Sequence, residues 1–516
     1  MTETADSGKN SRPAGGRSRI DRWRRTAGLF LGPAAAILIL LLPFPALSTE
    51  AHRLAAVACW VVIFWLTEAV PIPVTALMGV ALAVVFGIAP ASRVLSAFGD
   101  QIIFLFIGSF ILARAMQRHG VDRRIAYALL AHPWVGGSTF RTVWALGLTA
   151  WLLSMWISNT ASVAMLFPVA IAIARTTGAL MNPGSAESDA TPRLRYTTGM
   201  LLMLAFAGSV GGLATPIGTP PNLIGIALID QGLKVRIGFF QWMLFGLPVA
   251  LVMLGVIYGV ILALYRPEVR YVPGQLERMR SAQRELGPWT AGQINCVAAF
   301  GAAVVLWIAP GLLSLALGAG HPLAMLVSER LTEGTVALLA ASLLFVLPAD
   351  WGRREFTLEW EEAALIDWGT VLLFGGGIAL GRLIFETGLA VAMGDGILAL
   401  FGAESPSVLS AAAVLLAAMI SEASSNTASA STVVPVMLSI GKSAGQAPIS
   451  VALAATLGSS LGFMLPVSTP PNAIVYGSGA IRITDMVKAG LIIDLAGVLT
   501  VWAAAVWLVP LAVRVG

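Results

Sequence analysis

The sequence contains few charged residues. Only 11% of its 516 residues are Asp, Glu, Lys or Arg, whereas 57% are hydrophobic. Soluble proteins contain about 25% charged residues, so this composition excludes a soluble globular protein of comparable length. Apolar runs of about 20 residues, the length that crosses a hydrocarbon core of about 30 Å, recur along the whole chain. We therefore predict an all-α polytopic membrane protein that lies in the lipid bilayer.

Cysteine and histidine are also scarce. The chain has two cysteines, Cys59 and Cys296, both inside apolar runs, and four histidines. Two isolated thiols support neither a disulfide framework nor a thiolate metal site. No apolar run combines His, Cys and Asp in a set suited to nucleophilic or metal chemistry, which argues against an intramembrane enzyme. An enzyme or a structural scaffold is kept only as a distant alternative, and no organic cofactor is expected.

The basic residues are concentrated in a few polar connections. The net charge is +5, but arginines clustered between apolar runs form the positive-inside pattern of cytoplasmic loops and do not indicate nucleic-acid binding. A group of arginines precedes the first apolar run, which predicts a cytoplasmic N-terminus. We expect the protein to lie in the plasma (inner) membrane. The group consists of Arg12, Arg17, Arg19, Arg22, Arg24 and Arg25.

Two short motifs occur twice. The pentapeptide Ser-Asn-Thr-Ala-Ser lies at 158–162 and again at 425–429, each time inside a long apolar run. Polar residues at that depth are costly unless they bind something. The motif Thr-Pro-Pro-Asn starts at Thr219 and again at Thr469. Small residues often serve helix packing, but packing requires neither Asn nor a double proline at repeated places, so the pattern predicts an internal duplication.

The motifs divide the chain into segments. Proline has no backbone donor and disfavours helix at the preceding residue, so the proline motifs must unwind a helix. The Ser-Asn-Thr motifs split apolar runs into arms too short to cross, since 142–157 reaches only about 24 Å, and this predicts re-entrant hairpins. We expect a disordered basic cytoplasmic tail at 1–26 and a cytoplasmic linker at 266–288. The first repeat is expected at 27–265, with a hairpin at 142–174 and a broken helix at 197–230. The second repeat is expected at 289–516, with a hairpin at 405–441 and a broken helix at 446–481.

The order of the segments predicts an inverted arrangement. Counting from a cytoplasmic N-terminus, with each hairpin counted as no crossing, gives about eleven transmembrane helices and an extracytoplasmic C-terminus. The two hairpins then open to opposite sides of the membrane. Inverted repeats with helices broken near mid-membrane are typical of secondary transporters. Half-helix N-termini suit an anion, whereas half-helix C-termini and free carbonyls suit a hard cation such as Na⁺.

The paired motifs, together with the segment WLTEAVPIP at 65–73, resemble the divalent anion–sodium symporter (DASS) family, the INDY-type dicarboxylate transporters. The resemblance covers nearly the whole chain after the tail and implies a homodimer with an elevator mechanism. It implies one Na⁺ site formed by Ser154, Ser158, Asn159 and the carbonyl of Gly218, and a second formed by Ser421, Ser425, Asn426 and the carbonyl of Ser468. It implies that substrate carboxylates lie against Asn159, Thr160, Thr219, Pro220, Asn426, Thr427, Thr469 and Pro470.

These observations predict a secondary active transporter that imports a divalent organic anion, a C4-dicarboxylate such as succinate, malate or fumarate, together with Na⁺. A sodium-independent dicarboxylate exchanger and a sodium-coupled sulfate or citrate carrier are the alternatives, because the motifs do not separate them. Glu422 has no acidic counterpart in the first repeat, where Met155 takes the matching place. We expect it on the helix surface or beside the ligands, and a role as a proton or cation ligand is the alternative. The matched residues Arg114 and Arg382 are expected to snorkel or to pair with Asp367 or Glu386, and contact with substrate is the alternative.

Overall fold

A computed structural model describes residues 19–181, 191, 193–318, 320–401 and 405–514 of the chain. This part is almost entirely helical, with one short antiparallel ribbon of two strands, β1 (Pro348–Asp350) and β2 (Glu355–Phe356). Ten of its helices are long and apolar enough to cross a membrane, and three shorter apolar helices accompany them. The predicted all-α polytopic membrane architecture is therefore confirmed.

The helices of the first repeat follow the predicted order. They are α1 (Arg19–Leu41), α2 (Thr49–Thr67), α3 (Ile72–Val85), α4 (Ala91–Leu95), α5 (Gln101–Arg118), α6 (Val121–Leu130), α7 (Thr139–Ser154), α8 (Asn159–Met181), α9 (Arg195–Gly211), α10 (Pro220–Leu233) and α11 (Phe239–Leu264). Short 3₁₀ turns at Ser96–Gly99 and Gly212–Ala214 follow α4 and α9.

The second repeat is preceded by α12 (Gln275–Glu285), which lies inside the expected linker 266–288. The remaining helices are α13 (Ala291–Leu317), α14 (Pro322–Arg330), α15 (Glu333–Val346), α16 (Trp360–Ala363), α17 (Trp368–Glu386), α18 (Leu389–Phe401), α19 (Pro406–Ala423), α20 (Asn426–Ser443), α21 (Pro448–Gly458), α22 (Pro470–Tyr476), α23 (Ile483–Ala503) and α24 (Val509–Arg514). A π-helical turn, Ala504–Leu508, joins α23 to α24.

Helix α1 begins earlier than the predicted tail allows. The tail was expected to extend to residue 26, but the helix starts at Arg19, while residues 1–18 lie outside the described part of the chain. Arginine is a good helix former, and two of these arginines have partners in the fold. Arg25 donates to the Glu68 carboxylate at 2.8 Å, and Arg24 donates to the backbone carbonyl of Ala423 at 3.2 Å. These contacts hold the basic segment of α1 against the ends of α2 and α19.

Both Ser-Asn-Thr motifs lie at the turns of helical hairpins. In the first hairpin α7 ends at Ser154 and α8 starts at Asn159; in the second α19 ends at Ala423 and α20 starts at Asn426. Each motif serine satisfies a backbone donor at the start of the returning helix, because Ser158 Oγ accepts from Ala161 N and Ser425 Oγ accepts from Ala428 N, both at 3.2 Å. The motif therefore stops one helix and starts the next.

Both Thr-Pro-Pro-Asn motifs restart an interrupted helix. The chain leaves helical structure after Ala214 and resumes at Pro220, and it leaves again after Gly458 and resumes at Pro470. Proline is favoured at the first helical position because its missing N–H has no partner there in any case. The predicted helix breaks are thus present in both halves.

The interrupted helices lie at the centre of the molecule. All residues of α9 from Tyr196 to Gly211 are buried, and α9 packs against α7, α8, α11 and α22. In the second half α21 packs against both arms of its hairpin, α19 and α20, and against α10. The first break is therefore buried in protein, whereas the second is partly open at Val467 and Pro470. Irregular backbone is tolerated at membrane depth where it is buried in protein or lines a water-filled cavity.

Candidate functional site

The four interruptions meet around one cavity. The cavity encloses about 490 Å³ and is lined by the tips of both hairpins and by the unwound segments of both broken helices. All of the residues expected to contact substrate line it, namely Asn159, Thr160, Thr219, Pro220, Asn426, Thr427, Thr469 and Pro470. The structure thus brings together residues from two places in each repeat, as the internal duplication predicts.

Residues of the first expected Na⁺ site lie around Gly212. Ser154 is fully buried and donates its hydroxyl to Asn159 Oδ1 at 2.6 Å. A Cβ atom built on Gly212 would lie 2.6 Å from Asn159 Oδ1 and 3.0 Å from the carbonyl oxygen of Gly218. Because Gly212 has no side chain, these two oxygens face a small common space. Ser158 and Gly218 line the main cavity beside it.

The second expected cation set is arranged in the same way. Ser421 is fully buried, and its hydroxyl lies 2.8 Å from Asn426 Oδ1 and 2.7 Å from the carbonyl oxygen of Ser459. A Cβ atom built on Gly462 would lie 3.3 Å from Ser421 Oγ and 3.6 Å from Asn426 Oδ1. Ser425 and Ser468 line the main cavity. Hydroxyl, amide and carbonyl oxygens are the ligands that hard cations prefer, and both sets supply them.

Two asparagines brace the unwound segments. The Nδ2 atom of Asn222 donates to the carbonyls of Gly212 and Thr215, both at 2.8 Å. In the second half Asn472 Nδ2 donates to Gly462 O at 3.1 Å and to Leu465 O at 3.0 Å. Both asparagines are fully buried. Each amide therefore fixes the shape of a segment that has lost its helical hydrogen bonds, which explains the last residue of the Thr-Pro-Pro-Asn motif.

The two halves differ in how the hairpin is tied to the broken helix. In the first half Thr215 Oγ1 donates to the backbone carbonyl of Met155 at 2.5 Å. In the second half Leu465 matches Thr215 and cannot donate, and Ser468 Oγ lies 3.1 Å from the backbone carbonyl of Glu422, the residue that matches Met155. In each half a hydroxyl of the unwound segment thus holds the matched carbonyl of the hairpin, but the two hydroxyls come from positions that do not match.

Among the described residues, carboxyl groups contact an unwound segment in the second half alone. Glu422 is buried and accepts from Met464 N at 2.7 Å and from Ser468 Oγ at 2.6 Å. Asp494 on α23 is also buried and accepts from Phe463 N at 3.3 Å. Two consecutive backbone N–H groups of the unwound segment are therefore held by carboxyl groups from two other helices. Glu422 lies directly beside the second expected cation set, and its contacts could not be read from motif spacing.

The opposite wall of the cavity comes from α5 and from the start of α17. It includes Arg114, Gln117, Asp367 and Thr370. Arg114 donates to Glu362 at 2.9 Å and Arg118 donates to the same carboxylate at 2.6 Å. The hydrogen bond from Arg114 is the main cause of a lowered pKa of Glu362. The expected pairing of Arg114 with Asp367 or Glu386 is wrong, because Arg114 pairs with Glu362, 248 residues away, and Arg118 donates to the same carboxylate.

The matched arginine of the second repeat has no equivalent role. Arg382 donates to Ser96 Oγ at 3.2 Å, and Glu386 pairs with Arg93 at 3.1 Å instead. The two arginines share a place in the repeat pattern but meet different surroundings, since only Arg114 lines the cavity.

In this helical membrane protein, two hairpins and two broken helices surround one central cavity. This arrangement is typical of membrane transport proteins. The chain belongs to the family described as the sodium:sulfate symporter transmembrane region, which it matches over residues 24–513. It is therefore a transporter and not an enzyme, and the predicted relation to divalent anion–sodium symporters is confirmed.

The chain is also similar to curated proteins over most of its length. It is 32% identical to the sodium-dependent dicarboxylate transporter SdcS of Staphylococcus aureus strain bovine RF122 / ET3-1, over 94% of this chain and 91% of that protein. It is 31% identical, with the same coverage, to the protein of that name from strain USA300. Among solved structures it is similar to the Alcanivorax borkumensis YdaH transporter, with a TM-score of 0.51, 14% identity, and coverage of 95% of this chain and 97% of that chain. This last similarity concerns the fold alone.

Proposed function

We propose that the protein imports a C4-dicarboxylate, such as succinate, malate or fumarate, together with Na⁺ by alternating access of the elevator type. The central cavity holds the dianion between the two hairpin tips, and the Na⁺ ions occupy the spaces beside Gly212 and Gly462. The proposal is carried by one observation, the meeting of all four motifs around a single cavity of about 490 Å³. The names of the curated relatives support the choice of dicarboxylate and sodium.

The chemistry of the cavity supports coupling to a cation. The motif residues contribute neutral hydroxyl, amide and backbone groups, and the one arginine among the lining residues, Arg114, is already paired with Glu362. A dianion taken from water into such a cavity lacks counter-charge, and transfer of an uncompensated charge is costly. Bound Na⁺ would supply that charge, so anion affinity should rise with Na⁺ concentration.

Coupling would also drive accumulation. If more than two Na⁺ accompany each dianion, every surplus positive charge that enters the cell gains about 2.3 kcal/mol per 100 mV of membrane potential. The positive-inside distribution of arginines supports a cytoplasmic N-terminus. We also propose a plasma (inner) membrane location and a homodimer in which each protomer carries a complete cavity.

Uptake of radiolabelled succinate into proteoliposomes tests the proposal. Uptake should require an inward Na⁺ gradient, should increase with an inside-negative potential if Na⁺ is in excess, and should not require dicarboxylate inside. Uptake that needs internal dicarboxylate and ignores Na⁺ would instead identify an exchanger.

Competition distinguishes the other carriers. Unlabelled malate and fumarate should inhibit succinate uptake at similar concentrations, whereas sulfate and citrate should inhibit weakly. Sodium-driven uptake of sulfate or citrate without uptake of succinate would overturn the assignment of substrate while leaving the sodium coupling in place.

A further inference from the structure

The segment WLTEAVPIP at 65–73 takes no part in the central cavity. All of its residues are described, and none of them lines that cavity. Helix α2 ends inside the segment at Thr67, and the next residue, Glu68, has a left-handed backbone conformation with a φ of 48°. This conformation is unfavourable for a residue with a side chain, and glycine is usual at such helix ends. A strained residue of this kind points to a role for its side chain.

The Glu68 carboxylate holds the start of α1. Arg25 donates to Glu68 Oε2 at 2.8 Å, and Arg24 Nη2 lies 3.4 Å from the same oxygen. Gly28 allows α1 to approach this segment closely, because a Cβ atom built on it would overlap the Thr67 hydroxyl. The start of α1 is therefore fixed to the end of α2, and Glu68 orients both guanidinium groups.

Arg24 also contacts the tip of the second hairpin. Its Nη1 atom donates to the backbone carbonyl of Ala423, the last residue of α19, at 3.2 Å. The last carbonyls of a helix have no donor within the helix and carry a partial negative charge, so a guanidinium group suits this position. Helix α1 packs chiefly against α2, whereas α19 packs against α20, α21 and α23. The contact therefore joins α1 to a hairpin that it otherwise scarcely touches.

The contact and the central cavity lie near the same side of the membrane. Helix α3 crosses away from Glu68 and α5 returns, so Arg114 and Gln117, near the end of α5, lie on the side where α1 begins. Both residues line the central cavity. The hairpin tip, which carries the second expected cation set, is held on that side by Arg24. Access from the opposite side requires the tip to move away from Arg24.

We propose that Arg24 stabilises the conformation in which the second hairpin tip lies on the side of the membrane where α1 begins, and that Glu68 orients its guanidinium group for this contact. The hydrogen bond to Ala423 O breaks when the cavity opens to the other side and forms again on return. Arg24 is a positioning residue, because it acts through the hairpin and does not line the cavity. This inference rests on the proposed alternating-access transport.

Hydrogen–deuterium exchange of the hairpin tip tests the inference without substrate. Arg24→Ala removes the contact to Ala423, and Arg25→Ala is the matched control, because Arg25 pairs with Glu68 but does not contact the tip. Alanine keeps the helix, since it has the highest helix propensity. Exchange in peptides that span 419–430 should be about three- to fivefold faster in Arg24→Ala than in the wild type, which corresponds to about 0.7–1 kcal/mol and to the net strength of one hydrogen bond.

The same peptides should exchange at the wild-type rate in Arg25→Ala, and peptides of the first hairpin, at 151–162, should be unchanged in both variants. Wild-type exchange at the second tip in Arg24→Ala would overturn the proposal. Equal acceleration in both variants would also overturn it, because the ion pairs of α1 with Glu68 would then suffice to explain the effect.

Glu68→Gly separates the role of the carboxylate from its contribution to stability. Glycine adopts the left-handed conformation without strain, so thermal unfolding should occur at or above the wild-type temperature. The tip should nevertheless exchange faster, because Arg24 loses the group that orients it. Wild-type exchange in a folded Glu68→Gly protein would overturn the role of Glu68.

Transport kinetics give a second measurement. With a cytoplasmic N-terminus, the contact stabilises the conformation that faces the cytoplasm, so its loss raises the population that binds external substrate. The external succinate concentration for half-maximal uptake should fall by about three- to fivefold in Arg24→Ala and stay unchanged in Arg25→Ala. An unchanged or higher value in Arg24→Ala would contradict the proposal. Absence of succinate uptake by the wild type would count against the proposed function alone, because the exchange measurement needs no substrate.

Discussion

The side-chain amide of Asn222, which holds the first unwound segment in shape, offers a test of how this site is built. Asn222→Ala removes the two hydrogen bonds, both 2.8 Å long, that hold the carbonyls of Gly212 and Thr215. Gly212 begins a short 3₁₀ turn, Thr215 O also accepts from Gly218 N at 3.3 Å, and both residues are fully buried. The variant therefore removes the amide donor from two buried acceptors.

The magnitude follows from the net strength of the two lost hydrogen bonds. Each contributes about 0.5–1.5 kcal/mol, so the native conformation of the segment should be destabilised by about 1–3 kcal/mol. The lower figure shifts the equilibrium between this conformation and its alternatives by about fivefold, because about 1.4 kcal/mol is tenfold. Gly212 and Gly218 shape the first expected cation space, so Na⁺-driven succinate uptake at low Na⁺ should fall by about fivefold or more.

The assay is the Na⁺ dependence of succinate uptake in proteoliposomes, measured beside a matched variant. Asn295 also donates two hydrogen bonds from its amide, to Pro348 O at 3.0 Å and to Thr357 Oγ1 at 2.8 Å, but it does not line the central cavity. Asn295→Ala should leave the Na⁺ dependence unchanged. An Asn222→Ala protein with wild-type Na⁺ dependence would refute the idea that the brace shapes a cation site.

Three further predictions concern the same cavity. Asn159→Ala and Asn426→Ala should each nearly abolish uptake while the protein stays folded by size-exclusion chromatography; normal kinetics in both would remove these amides from the site. Gly212→Ala should abolish uptake, because its Cβ would lie 2.6 Å from Asn159 Oδ1, whereas Gly462→Ala should be milder, since the nearest contact there is 3.3 Å; the reverse order would contradict the assignment of both spaces to Na⁺. Glu422→Gln should raise the Na⁺ concentration needed for half-maximal uptake by weakening the contacts to Met464 N and Ser468 Oγ, and an unchanged Na⁺ curve would show that the carboxyl group is dispensable.

The elements that carry the site could be predicted from the sequence because each motif has a strong local cause. Proline at Pro220 and Pro470 disfavours helix at the residue before it, and serine at Ser158 and Ser425 is a preferred helix cap. The duplication then predicts that these breaks are related by the repeat, and the cavity brings them together.

What the sequence did not reveal depends on contacts between distant segments. Arg114 meets Glu362 across 248 positions, and no local pattern marks that carboxylate as its partner. Arg25 of α1 likewise pairs with Glu68, 43 positions away. Gly212 and Gly462 could have been noticed, because they stand at the same distance before the two Thr-Pro-Pro-Asn motifs, but glycine is common in apolar helices and its meaning becomes clear only when the neighbouring oxygens are placed.

The unequal ties between hairpin and broken helix have a consequence for how the two halves can change. Thr215 in one half and Ser468 in the other reach matched carbonyls from unmatched positions. Copying the segment 212–222 over 462–472 would therefore place a threonine where leucine now packs and would delete the hydroxyl that Glu422 holds. The two halves arose by duplication, but their unwound segments are no longer interchangeable. Each segment can therefore change in sequence without a matching change in the other.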